Sequence, residues 1–122
     1  MPVTKRLGST LACAMLGLAA GCSDGGSSAS NPLEIASRDL VPADGQLAGV
    51  YNRSCRNCHT IAATGAPLTG DTNVWEARLA KGMDTLVDSV VNGYGGMPPF
   101  GMCMDCDAQQ FEDLIAFMAE GR

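Results

Sequence analysis

The sequence predicts an all-α fold. Three observations carry that expectation. From about Gly45 onward, apolar residues recur at i, i+3 and i+4 rather than alternating as in a strand. The periodic stretches are bounded by residues that start and stop helices: Asp71 to Asn73, Gly82, Asn92-Gly93, and Asp107 with Gln110. The stretches are also short, within a folded part of about 80 residues, which buries little surface on its own. Such a domain needs something else at its centre.

Taken in order, the elements follow from their local chemistry. Residues 33–44 show little periodicity and read as an irregular lead-in. Leu47, Val50 and Tyr51 then share one helix face. Residues 65–70, Gly-Ala-Pro-Leu-Thr-Gly, form a loop. Asp71 to Asn73 can cap a helix over about 74–81 that carries Trp75, the only tryptophan, and Gly82 ends it. Met83, Leu86, Val87, Val90 and Val91 make an apolar stripe that Asn92-Gly93 stops. Residues 93–106 are a loop rich in Gly, Pro and Met. Asp107 and Gln110 have the spacing of a capping box, and Phe111, Leu114, Ile115 and Met118 give the last helix its buried face.

The first 21 residues look like an export signal rather than part of the fold. Lys5 and Arg6 precede an apolar run, Leu7 to Ala20, too short to span a bilayer stably. The run ends at Ala19-Ala20-Gly21-Cys22, small residues before a cysteine, which also suits a lipoprotein signal with Cys22 as the lipidated first residue. Ordinary cleavage nearby is the alternative. Residues 22–44 are then a flexible tether and lead-in, its start rich in Ser and Gly, and 45–122 the folded domain. Cleavage removes Lys5 and Arg6 and no acid, leaving 6 bases against 13 acids. Nucleic acid is excluded as a partner by that balance. A partner protein with a basic patch fits it.

Cys55-Arg56-Asn57-Cys58-His59 is the stretch with the most specific chemistry. Two cysteines two apart, followed at once by histidine, form the attachment pattern for a c-type haem. The thiols of Cys55 and Cys58 suit addition to two vinyl groups, and the imidazole of His59 suits the iron beneath. A thioredoxin-like dithiol, half a zinc site and a disulfide are the plainer alternatives. There is one histidine in the chain, so any imidazole chemistry falls on His59. One large apolar haem would also supply the missing core.

A haem iron held by His59 still has one open position, and the methionines are its candidates. Met97 is the first candidate: Pro98-Pro99 holds the chain extended after it, and Gly93, Gly95 and Gly96 let backbone pass close to a ring. Met102 and Met104 are the alternatives, while Met83 and Met118 sit on helix faces as core. Thioether ligation raises a haem potential and fills the iron. Cys103-Met104-Asp105-Cys106 is a second close pair. In an oxidising compartment it suits a disulfide, worth about 2 kcal/mol in so small a loop. Joined with the first pair it reads as a four-cysteine zinc site, but the 44-residue gap is long for one. A catalytic dithiol would lack a βαβ context.

These residues together resemble the cytochrome c5 family, small bacterial class I c-type cytochromes. The resemblance is carried by Val50-Tyr51, Cys55-x-x-Cys58-His59, Gly65-Ala66-Pro67, Gly70-Asp71, Trp75, Gly82 to Leu86, Met97-Pro98-Pro99 and Cys103 to Cys106, and covers about two thirds of the chain. It implies a small class I cytochrome c fold, with short helices wrapped around one covalently bound haem c. It implies His59 and Met97 as axial ligands, a Cys103–Cys106 disulfide, and the Pro67 carbonyl as acceptor for the second nitrogen of His59. It further implies an aromatic contact between Tyr51 and Phe111 or Ile115. Phe100 and Met102 depart from the family, whose members often carry a basic residue and glycine there.

The expected function is a periplasmic one-electron carrier, anchored to a membrane through Cys22, and not an enzyme. A haem relay subunit docked to a larger oxidoreductase is the alternative. An open-iron enzyme or sensor requires that Met97 be unbound.

Overall fold

The structure, a computed structural model, describes Met1 and residues 31–122. The leader, Cys22 and most of the tether lie outside the described residues. Among the described residues the architecture is helical. It has no strand, only one isolated antiparallel pair, Tyr94 and Met97, whose backbone groups bond at 3.1 and 2.9 Å.

Helix α1 spans Pro32–Asp39, where the sequence suggested an irregular lead-in. Its cause is not apolar periodicity. The side chain of Asn31 accepts from the Leu33 amide at 3.0 Å, Pro32 occupies the first turn, and Glu34 pairs with Arg38 one turn on. Leu40 to Asp44 remain non-helical.

Helix α2, Gly45–Val50, is capped by Asp44, whose Oδ1 accepts from the Leu47 amide at 2.8 Å. The chain continues through a π-helical turn, Tyr51–Cys55, into α3, Arg56–His59. The expected helix therefore does run into the cysteine motif, but with a widened turn just before it. Helix α4, Thr72–Leu79, starts two residues earlier than expected and ends two earlier, capped by Asp71. Gly82, with φ of 94°, turns the chain into α5, Met83–Asn92. Helix α6, Ala108–Glu120, carries the full capping box: Asp107 accepts from the Gln110 amide at 2.8 Å and the Gln110 side chain from the Asp107 amide at 3.1 Å.

Helix α6 packs against α2, α4 and α5. Its Phe111, Leu114, Ile115, Phe117 and Met118 are all buried, and Tyr51, Trp75, Leu86 and Val90 close the core against them. The aromatic partner of Tyr51 is Phe117, edge-on with centroids 5.0 Å apart, and not Phe111; Ile115 shares the same buried cluster. Phe111 lies instead over the loop before α6, where it meets Phe100 at 6.4 Å. That contact takes the aromatic at 111 and leaves the one at 117 above Tyr51.

Candidate functional site

The π-helical turn and α3 present the motif as a ledge. Cys55 is buried, Cys58 is exposed one turn on, and His59 is buried at the end of α3. All three line a cleft of about 260 Å³. The opposing residues include Tyr94, Gly95, Gly96, Met97, Gly101 and Met102. Thus the one histidine, two free thiols and the favoured methionine share one cavity. Met104, the other alternative, does not line it.

His59 is held through both its ring and its backbone. Nδ1 donates to the Pro67 carbonyl at 2.8 Å, so Nε2 is left without a hydrogen-bond partner among the described residues. The loop that supplies this carbonyl is itself pinned. The Leu68 carbonyl accepts from Trp75 Nε1 at 2.8 Å, the Thr69 amide donates to the His59 carbonyl at 2.8 Å, and the Thr69 hydroxyl meets the Tyr51 hydroxyl at 2.9 Å. Trp75 also stacks at a tilt near His59, with centroids 6.0 Å apart. The supporting roles of Trp75 and Thr69 have no motif of their own and were not legible as site features.

The Met97 segment is shaped by glycines. A Cβ at Gly93 would sit 2.9 Å from the Met97 carbonyl, and one at Gly101 would sit 3.2 Å from Met97 Cε. Phe100, Gly101 and Met102 all have positive φ, 58°, 55° and 67°. Only the central one is glycine, so this turn is strained at two residues. Beyond it, Cys103 and Cys106 lie with Cα atoms 5.4 Å apart, the separation a disulfide requires.

Arg53 ties the two halves of the site together. Its guanidinium forks onto both carboxylate oxygens of Asp105, at 3.0 and 2.9 Å, and reaches Cys103 Sγ at 3.4 Å. The pair is exposed, and it holds Asp105 below the usual carboxylate range. Burial pushes the Cys55 thiol up to about 11, while the Arg53 charge acts in the opposite direction. Burial also lowers the basicity of His59, opposed by the bond to Pro67 and aided by the charge of Arg78. Both effects favour neutral side chains in the cleft.

The donor set fits a covalently held haem. Two thiols one turn apart, a neutral imidazole with its second nitrogen unengaged, and a thioether line one cleft. A side chain at Gly101 would press on the Met97 methyl, and one at Gly93 on the Met97 carbonyl.

Residues 42–118 match the family model described as Cytochrome C oxidase, cbb3-type, subunit III. Cytochrome c5 of Ectopseudomonas mendocina is 33% identical over 72 residues, which is 57% of this chain and 83% of that protein. A mono-heme ferrocytochrome c from Shewanella putrefaciens superposes with a TM-score of 0.56 at 43% identity, over 62% of this chain and 94% of that one. The cytochrome in an electron-transfer complex of nitrite reductase with cytochrome c gives the same TM-score at 32% identity, over 64% and 95%. These relatives are electron-transfer proteins, and the family match takes in the cysteine motif, His59 and Met97. The chain belongs to that c-type cytochrome family, as a small class I cytochrome of the cytochrome c5 kind that carries one covalent haem c and transfers electrons rather than catalysing a reaction.

Proposed function

We propose that this chain is a periplasmic one-electron carrier in which His59 and Met97 are the axial ligands. Cys55 and Cys58 are the attachment points, and a Cys103–Cys106 disulfide braces the loop that bears Met97. The observation that carries this is the convergence of Cys55, Cys58, His59 and Met97 on one cleft. When bound, the haem supplies a one-electron Fe(III)/Fe(II) couple. The chain's own contribution is to hold it still. Pro67 fixes the tautomer of His59 by accepting from Nδ1, which directs Nε2 to the metal. Ala66, Met97, Pro98 and Met102 give the cleft apolar wall.

Residues 1–21 act as the export signal and Cys22 as the lipid-bearing residue, so that the stretch after it tethers the domain to a membrane surface. The acidic balance steers a redox partner that presents a basic patch. Voltammetry of the purified holo-protein tests the carrier role. One reversible one-electron wave is expected, with the reduced protein inert to carbon monoxide. Rapid carbon monoxide binding would contradict it.

A fixed relay within a larger oxidoreductase is the second reading. It is favoured by the oxidase-subunit description of the family model and by the exposure of Tyr94 and Met102, each 69% exposed, where they line the cleft. Recovery of a stoichiometric catalytic subunit on gentle membrane extraction would favour it over the mobile carrier.

A further inference from the structure

Helix α1 lies upstream of the family match, which begins at residue 42, yet its bonds go to the segment around His59. Ser37 is fully buried, and its hydroxyl donates to the His59 carbonyl at 3.0 Å. Glu34 Oε2 accepts from the Ala62 amide at 2.8 Å, and Arg56 donates to the Arg38 carbonyl. At the far end Leu40 lies over two glycines. A Cβ at Gly70 or Gly121 would come within 2.7 or 3.1 Å of its Cδ1.

We infer that α1 and Leu40 form a positioning strap for His59, with Ser37 and Glu34 as its positioning residues. The His59 carbonyl takes two donors, the Thr69 amide from the loop side and Ser37 from the strap side. Together with the ring bond to Pro67, this holds the backbone and the imidazole of one residue from three directions. A buried hydroxyl needs an acceptor, and the one it has is the carbonyl of the metal-facing histidine. The strap adds a function to the segment between the export signal and the cytochrome domain: it sets the axial histidine from outside that domain. The role assigned to His59 rests on the proposed function.

The test uses full-chain holo-protein in four forms: unchanged, Ser37→Ala, Glu34→Ala and Ser89→Ala. Ser89 makes the same kind of bond, to the Thr85 carbonyl on α5, and serves as the control. Amide hydrogen exchange at Thr69 and Ala62 is measured by NMR, with the paramagnetically shifted ring protons of His59 in the oxidised protein. The expected result is exchange at least about tenfold faster at Thr69 in Ser37→Ala and at Ala62 in Glu34→Ala, with the His59 resonances moved. Ser89→Ala leaves all of these in place. Should Ser37→Ala fail to fold, Glu34→Ala decides the matter through Ala62 and the His59 resonances. Unchanged exchange and unmoved His59 resonances overturn the strap. Failure of the functional proposal shows separately, as absence of covalent haem in the mass of the unchanged chain, and exchange at Thr69 and Ala62 still compares strap variants with it.

Discussion

His59 and Trp75 are held by adjacent carbonyls of one loop: Nδ1 of His59 donates to Pro67 and Nε1 of Trp75 donates to Leu68, each at 2.8 Å. The loop is thus fixed from two sides, one by the histidine of the cleft and one by a buried indole of α4. The orientation of the imidazole thus depends on a helix outside the cysteine motif.

Trp75→Phe keeps most of the buried aromatic surface and removes the bond to Leu68. An abandoned buried carbonyl costs about 1–3 kcal/mol, so denaturant unfolding of the holo-protein should shift by that amount. A change within error would mean that the loop does not rely on Trp75.

Phe117→Ala should cost about 3–5 kcal/mol, because the ring is buried and stacks edge-on to Tyr51. A double-mutant cycle with Tyr51 should give a coupling of about 1 kcal/mol. The same cycle between Tyr51 and Phe111 should give almost none, since Phe111 faces Phe100.

Gly101→Ala places a methyl 3.2 Å from Met97 Cε on a backbone with φ of 55°. The strain is about 1–2 kcal/mol, and the Met97 methyl must give way. The oxidised holo-protein should lose part of its sulfur-to-iron absorption and gain carbon monoxide binding when reduced. Full retention of the sulfur signal would show that the Met97 loop adjusts.

Asp105 is held below its ordinary value of 3.8 by the Arg53 fork. A depressed carboxyl contributes stability that is present above the unfolded value and lost as pH falls through the folded one. The melting temperature of Asp105→Asn should therefore lie below that of the unchanged protein at neutral pH and converge with it in acid. The pair is exposed, so the gap is small and shrinks with salt. A gap that persists in acid would assign it to something other than the charge.

Haem removal should leave a poorly folded chain. The cleft opens between α3 and the Met97 loop, and the domain buries little surface without an occupant. Circular dichroism should show most helix lost. A compact, protease-resistant apo-protein would contradict this.

The motif and the core of this fold were legible because each carries a dense local signal. Cys55, Cys58 and His59 are contiguous, α5 has an unbroken apolar stripe, and α6 announces itself through Asp107 and Gln110. Helix α1 was not legible, since its stability comes from the Asn31 cap, the Glu34–Arg38 pair and tertiary bonds to residues 59 and 62. Those partners are more than twenty residues away, where periodicity has nothing to report. The pairing of Tyr51 with Phe117 was missed for a related reason. Phe111 and Phe117 both belong to the buried face of α6, and only the contact of Phe111 with Phe100 decides between them. The strained turn at Phe100 and Met102 was visible as an odd composition, but its positive φ values were not.

The most direct single measurement is the absorption spectrum of the oxidised holo-protein in the weak long-wavelength band that reports methionine sulfur on ferric haem. The band should be present in the unchanged protein and in Met102→Ala, and absent in Met97→Ala. A band that survives Met97→Ala and vanishes in Met102→Ala, or no band at all with an open iron, would contradict a closed electron-transfer site built on His59 and Met97.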